Sequence, residues 1–490
     1  MKRAILFNSV LLIVMASSHL AFSQNSRVYS ADWESLDQRP VPDWFSDAKF
    51  GIFIHWGVYS VPSWAPVRDV GLYARYAEWY WYRLINSESE GHQHFKTFHE
   101  AVYGPDFRYR DFAPLFTAEM YDPAAWADLF VSAGARYVVL TSKHHDGYAL
   151  WPSRFSPGWN AADVGPRRDL AGELTSAVRQ RGLKMGFYYS LYEWFNEQYH
   201  SDLGTYTDEY MWPQLKELVT AYEPDIVWTD GEWDHSSDVW KSEEFLAWLY
   251  NESPVRGSVV VNDRWGSETR SRHGGYYTTE YSMVHGGEEI DDQAALHPWE
   301  ECRGIGGSFG YNRNERLEDY ASSSDVVRLL IETVAHGGNL LLNVGPTADG
   351  RIPVIMQERL SDVGQWLAVN GEAIYGTRPW QESPSRSDVF FTQKAGVLYA
   401  LVPSWPGDTL RLPMSELGPI RVHLLGHDAP LRHSVQQDVL TIQLPEFVTL
   451  PPSSRLGIAL RIEQERDLGA TGQGAASGSM TSLTTRENRE

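Results

Sequence analysis

Cysteine is almost absent: one residue, Cys302, in a chain of 490. A single thiol cannot close an internal disulfide or build a cysteine-cluster zinc site. Basic residues are also scarce, 42 Lys and Arg against 64 Asp and Glu, for a net charge of −22. That excess repels phosphate backbones and anionic membrane surfaces, so nucleic acid and membrane are set aside as partners. Long apolar runs are missing as well. The one candidate, residues 4–16, is broken at Asn8 and Ser9 and falls short of the roughly 20 residues that a bilayer helix needs. Lys2 and Arg3 precede it, and Ala21-Phe22-Ser23 places small residues where a signal peptidase reads. Residues 1–23 therefore read as a signal peptide cleaved before Gln24, whose loss takes the net charge from −22 to −24. The expected destination is a periplasm, the exterior or, in a eukaryote, a lysosome. Asn251-Glu252-Ser253 is a glycosylation sequon that matters only on a eukaryotic route.

Aromatic residues, by contrast, abound: 20 Trp, 26 Tyr and 19 Phe, enough to line a large pocket as well as fill a core. Four to eight residue apolar runs, rich in β-branched and aromatic types, recur at 51–56, 137–141, 185–189, 225–230, 259–264, 276–281, 308–311 and 340–344. Helical patterns lie between many of them, at 124–133, 170–180, 212–220, 243–250 and 326–334. Eight strands alternating with helices predict an α/β fold of (β/α)8 type, a TIM-like barrel over residues 24–378. No helical pattern follows the fifth and sixth runs, so irregularity is expected there. Beyond residue 379 short strands at 389–392, 397–402, 422–425, 439–444 and 456–462 alternate with turns and predict an antiparallel β-sandwich over 379–463. Residues 464–490 have the composition of a disordered tail.

A barrel presents its chemistry at the C-terminal ends of its strands. Here those ends read His55-Trp56, Lys143-His144-His145-Asp146, Tyr188-Tyr189-Ser190, Trp228-Thr229-Asp230, Asn262-Asp263-Arg264, Thr278-Thr279-Glu280 and Asn343. Helix capping accounts for any one of them, but not for carboxylates, histidines and tryptophans recurring at one end of successive strands. Flat rings beside His, Arg and carboxylates suit a sugar. Glycosidic cleavage needs two carboxyl groups. Asp230 is the candidate nucleophile. Glu280, at a strand end, and Glu300, expected on a loop, are rival proton donors, and a surface carboxylate is the plain alternative for each. His144 and His145, adjacent on a strand, are expected to face opposite ways, so hydrogen bonding explains them better than a shared metal ion. No metal or other cofactor is expected. A carbohydrate-binding barrel without catalysis and a glycosidase for another sugar remain as alternatives.

The segments Lys49 to Gly57, Tyr76-Ala77-Glu78-Trp79-Tyr80, Lys143-His144-His145-Asp146-Gly147 and Trp228-Thr229-Asp230-Gly231-Glu232-Trp233 resemble α-L-fucosidases of glycoside hydrolase family 29. Asn262-Asp263-Arg264-Trp265-Gly266, Trp299-Glu300, Ser308 to Arg313 and Asn339 to Pro346 continue the match, in order, from about residue 30 to about 380. The resemblance implies retaining hydrolysis of terminal α-L-fucosyl linkages on oligosaccharides or glycoconjugates, without a metal. It implies Asp230 as nucleophile and His55, Glu78, Trp79, His144, His145, Tyr188, Trp228 and Arg264 as fucose-binding residues. One branch of the family has a Thr-x-Glu-Tyr acid/base motif, matched by Thr278 to Tyr281, which favours Glu280 over Glu300.

Overall fold

The computed structural model describes residues 27–281, 297–380, 388–414 and 418–464. The expected signal peptide and all but the first residue of the expected tail lie outside them. Eight parallel strands form one curled sheet: β1 Phe50–Ile54, β2 Tyr137–Lys143, β3 Lys184–Ser190, β4 Ile226–Asp230, β5 Val260–Val261, β6 Tyr277–Glu280, β7 Trp299–Gly304 and β8 Asn339–Val344. Their order is β5-β4-β3-β2-β1-β8-β7-β6. Between the two edges, the Tyr276 N–H reaches the Val261 carbonyl at 3.0 Å and the Gly275 N–H the Asn262 carbonyl at 3.2 Å, drawing the sheet round on itself. The fold is the expected barrel.

Alternation along each strand sorts its side chains into two cores. Ile52, Ile54, Val138, Leu140, Phe187, Tyr189, Val227, Leu340 and Leu342 pack outward among the helices. Phe53, Val139, Tyr188, Ile226, Trp228, Cys302 and Leu341 fill the interior. Gly51 belongs to the interior set, where a Cβ would fall inside the Tyr137 ring, so only glycine lets that ring lie across the barrel. The helices begin at strong caps. Asp122 accepts from the amides of Ala124 and Ala125 ahead of helix Pro123–Ser132, Asp169 caps Leu170–Gln180, and Ser322 with Asp325 makes a capping box on Ser323–Ala335.

Three expectations need correction. The run at 308–311 is a loop, and the seventh strand is Trp299–Gly304, which carries Glu300. The chain turns directly after β2, so His144 and His145 do not face opposite ways; both line one cavity. Helices His92–Val102 and Val354–Asn370 exist without having been expected. The stretch after β5 has no helix, as anticipated, while the stretch after β6 falls on undescribed residues.

Beyond the barrel, strands β9 Arg378–Pro379, β10 Phe390–Lys394, β11 Val397–Val402, β12 Thr409–Pro413, β13 Ile420–Leu424, β14 His433–Gln436, β15 Val439–Gln443 and β16 Ile458–Gln464 form two antiparallel sheets. Their orders are β13-β16-β11-β10-β9 and β12-β15-β14, so β9, β12 and β14 are additions to the expected set. Leu412, Val422, Leu440 and Leu460 share the apolar layer of this sandwich. It docks on helix Val354–Asn370, where the Trp366 indole donates to the Gly457 carbonyl at 2.9 Å and Asn370 accepts from the Ala459 amide at 3.1 Å.

Candidate active site

The inward alternation that places Phe53, Trp228, Thr278 and Leu341 in the interior carries their strands' next inward residues, His55, Asp230, Glu280 and Asn343, to the C-terminal mouth. There a cavity of about 440 Å³ is lined by His55, Glu78, Trp79, His144, His145, Asp230, Arg264 and Glu280, all foreseen from the sequence. Arg264 organises it. Its Nη1 donates to Asp230 Oδ1 at 2.6 Å, its Nη2 lies 3.5 Å from Glu280 Oε2, and its Nε donates to Thr278 Oγ1 at 3.0 Å. One guanidinium therefore spans both candidate carboxylates. Each carboxylate also has a tyrosine: the Tyr188 hydroxyl donates to Asp230 Oδ2 and the Tyr76 hydroxyl to Glu280 Oε1, both at 2.9 Å.

Electrostatics separate the roles. Burial opposes ionisation of Asp230, but Arg264, His145 and Arg270 overcome it and hold the carboxyl at about 2, so it is an anion across the working pH range. Burial drives the histidines the other way, His55 to about 3, His145 to about 4 and His144 well below its ordinary value. They are neutral rings. His55 Nδ1 meets Asn343 Oδ1 at 2.7 Å, and His145 Nδ1 meets Ser190 Oγ at 2.6 Å, whose own proton goes to the Tyr192 carbonyl. In both rings Nδ1 is thus the donor, and Nε2 keeps a lone pair for a hydroxyl of a ligand. Glu78 is pushed up to about 7 by burial, tempered by the Gly310 amide at 2.8 Å and the Ser308 hydroxyl at 3.2 Å.

Three foreseen residues lie beneath the cavity. Tyr188 does not line it and bears on it through Asp230 and through the rings of His55 and His144, each 5.6 Å from its own. Trp228 is buried, with the Arg264 guanidinium 4.4 Å from its ring centre and its indole donating to Glu300 Oε1 at 2.9 Å, so no sugar face can stack on it. Glu300 is fully buried, also accepts from the Tyr137 hydroxyl at 2.5 Å, and does not line the cavity. Its burial raises it to about 7. Conversely, Tyr73, Tyr76, Arg83, Trp233 and Arg270 line the cavity with no role foreseen for them. Arg270 sits in a polar Glu-Thr-Arg-Ser stretch that reads as surface, yet its Nε donates to buried Glu232 at 2.5 Å and its Nη2 stands 3.9 Å from Asp230. Among the described residues no group of three His, Cys, Asp or Glu is placed to hold a metal ion.

Comparison with known proteins agrees with this geometry. The family model described as alpha-L-fucosidase matches residues 16–372. Tissue alpha-L-fucosidase of Homo sapiens is 43% identical over 458 residues, 91% of this chain and 93% of the human one. Alpha-L-fucosidase of Branchiostoma floridae is 46% identical over 431 residues, 85% of this chain and 92% of that one. The crystal structure of Thermotoga maritima alpha-fucosidase in complex with fucose matches with a TM-score of 0.75 at 36% identity, covering 89% of this chain and all of that one. With motif order, barrel and cavity in agreement, the chain belongs to the α-L-fucosidases, glycoside hydrolase family 29.

Proposed function

We propose that this enzyme removes terminal α-L-fucose from oligosaccharides or glycoconjugates by a retaining double displacement. Asp230 attacks the anomeric carbon while Glu280 gives its proton to the departing glycosidic oxygen. A fucosyl ester on Asp230 forms and the free aglycone leaves. Water, deprotonated by Glu280, then attacks the ester, releasing fucose with its original configuration and restoring both carboxyl groups. The observation that carries the assignment is Arg264, which holds the two carboxylates on its two arms inside one cavity. It stabilises the nucleophile as an anion and counters the charge that Glu280 gains on giving up its proton. The neutral His55, His144 and His145, together with Glu78, bond the sugar hydroxyls, and Trp79 offers the apolar surface for the methyl-bearing edge. Fucose bound to the Thermotoga maritima relative supports the choice of sugar.

Export under a signal peptide of residues 1–23 belongs to the same proposal. No helix among the described residues is long and apolar enough to cross a membrane. The catalytic unit is assigned to residues 24–378 and the sandwich to 379–463.

The test is Asp230→Gly on an aryl α-L-fucoside. Turnover should fall by about 10⁴-fold, and added azide should restore part of it as β-L-fucosyl azide, the configuration a vacated nucleophile dictates. Near-normal turnover in the variant would sink the assignment.

A further inference from the structure

The cavity is lined by three arginines and three carboxylates, and almost all of that charge is internally matched. Arg264 spans Asp230 and Glu280; Arg270 holds Glu232; Glu78 is held by the Gly310 amide and the Ser308 hydroxyl. Arg83 is the exception. Among the described residues no carboxylate lies within ion-pair distance of it. Among the described residues its guanidinium makes one hydrogen bond, from Nη2 to the Tyr73 carbonyl at 3.2 Å, its Nε is buried with no acceptor, and its other neighbours are the Trp79 and Tyr82 rings, each 5.7 Å away. Glu90, which accepts from the Gly71 amide at 2.7 Å, and Glu78 act on Arg83 only through space, without an ion-pair contact. A guanidinium that faces a cavity with most of its donors unused is a site for an oxyanion. In a chain of net charge −22, an anionic substrate would otherwise be repelled.

Position says which part of the substrate Arg83 would meet. This step rests on Glu280 protonating the leaving oxygen, because the leaving sugar must then lie beside Glu280 and outward from it. Contacts run outward from Glu280 to Tyr76 by the hydroxyl bond, from Tyr76 to Tyr73 by an edge contact at 5.6 Å, and from Tyr73 to Arg83 by the carbonyl bond. Across the mouth Trp233 stacks on Trp79 at 6.3 Å, and Arg83 stands 5.7 Å from the Trp79 ring centre. Tyr73 and Trp233 are 61% and 38% exposed, large rings left open at the rim of a cavity. Exposed flat rings beside an unpaired cation form a sugar platform with an anion hook.

We infer that Tyr73, Arg83 and Trp233 form a leaving-group subsite that prefers an aglycone sugar bearing an anionic substituent, a sulfate ester or a carboxylate. Tyr73 and Trp233 pack on the aglycone ring, and Arg83 takes the anion.

The experiment compares kcat/KM on three substrates: α-L-fucosyl-N-acetylglucosamine, its 6-O-sulfate, and the same disaccharide with C6 oxidised to a carboxylate. The wild-type enzyme should favour at least one anionic substrate over the neutral one by about fivefold at low salt, and less at high salt. Whichever is favoured identifies the anion. Arg83→Gln should bring that ratio to one and Arg83→Lys should keep part of it, the neutral substrate correcting each variant for folding and for general loss of activity. A wild-type ratio of one or below, or a ratio unchanged in Arg83→Gln, overturns the inference. Either result leaves the nucleophile standing, since that is tested separately by Asp230→Gly and azide. The reading of Glu280 on which this step rests is tested by Glu280→Gln, which should lose far more turnover on a fucosyl disaccharide than on a nitrophenyl fucoside, whose leaving group needs no proton.

Discussion

Asp230 and Glu300 are two buried carboxyl groups in one barrel interior, one layer apart, and they are held in opposite ways. Trp228 joins them: two residues before Asp230 on β4, it points inward as Asp230 does, and its indole hydrogen-bonds Glu300. Asp230 faces Arg264 directly, with Arg270 and His145 nearby, and is held at about 2. Glu300 receives two neutral donors, Tyr137 and Trp228, and is raised to about 7. Burial acts against both anions; what differs is the charge of the partner and access to the cavity. A carboxyl at a strand's end beside an arginine is reactive, whereas one a layer down between aromatic donors is part of the core.

The largest expected effect breaks this comparison from the upper layer. Asp230→Asn should cost about 10⁴-fold in kcat while leaving the thermal midpoint nearly unchanged, since the amide keeps the shape, its oxygen accepts from Arg264 and its NH2 donates to the Tyr188 hydroxyl. Parallel turnover and melting measurements check it; a large fall in the midpoint would mean that the upper carboxylate is structural too. Next comes Arg264→Met, expected to lower kcat/KM by about 10²-fold or more. Without the guanidinium the burial of Asp230 is no longer outweighed, so its pKa rises and the acid limb of the kcat/KM profile moves to higher pH. An unmoved limb would show that Arg264 does not set the charge of Asp230. From the lower layer, Glu300→Leu strands the donors of Tyr137 and Trp228 in the core and should cost about 2–4 kcal/mol in urea unfolding.

Why one of these layers could be read from the sequence and the other could not is itself physical. Strands whose inward and outward faces are both apolar, such as β2 and β8, stand out as continuous runs. Strand β7 does not, because Trp-Glu-Glu-Cys-Arg-Gly buries two glutamates: Glu300 inward, and Glu301 held by Arg303 at 2.7 Å and by the Thr279 hydroxyl. Polar residues satisfied by distant partners look like loop residues in one dimension. The reverse error arises at 308–311, where Ser-Phe-Gly-Tyr has the texture of a strand but is a loop that brings the Gly310 amide to Glu78. The residues at the cavity floor were legible because strand ends and family motifs coincide there. Arg83 and Tyr73 on the rim were not, since they reach the cavity from the segment between β1 and β2, where no strand alternation marks a direction.

The smallest effect sharpens the contrast most, because Glu300→Gln changes only a proton. If Glu300 is core and not the acid/base, the variant should keep kcat on an aryl fucoside within about twofold, whereas a catalytic acid replaced by an amide would lose about 10²-fold or more. Its signature lies in stability against pH. Glu300 holds its proton to about 7 when folded but only to about 4.3 when unfolded. Between those values the folded state binds one proton more, so the stability that this group contributes is complete below about 4.3 and is lost as pH rises through about 7. Glutamine has no such proton to lose. The stability of Glu300→Gln relative to wild type should therefore rise by about 3 kcal/mol between pH 4.5 and pH 8.5, read as the difference in urea midpoints at the two pH values. A difference independent of pH would mean that Glu300 is already ionised in the folded protein, and the two layers would then differ in access alone and not in charge.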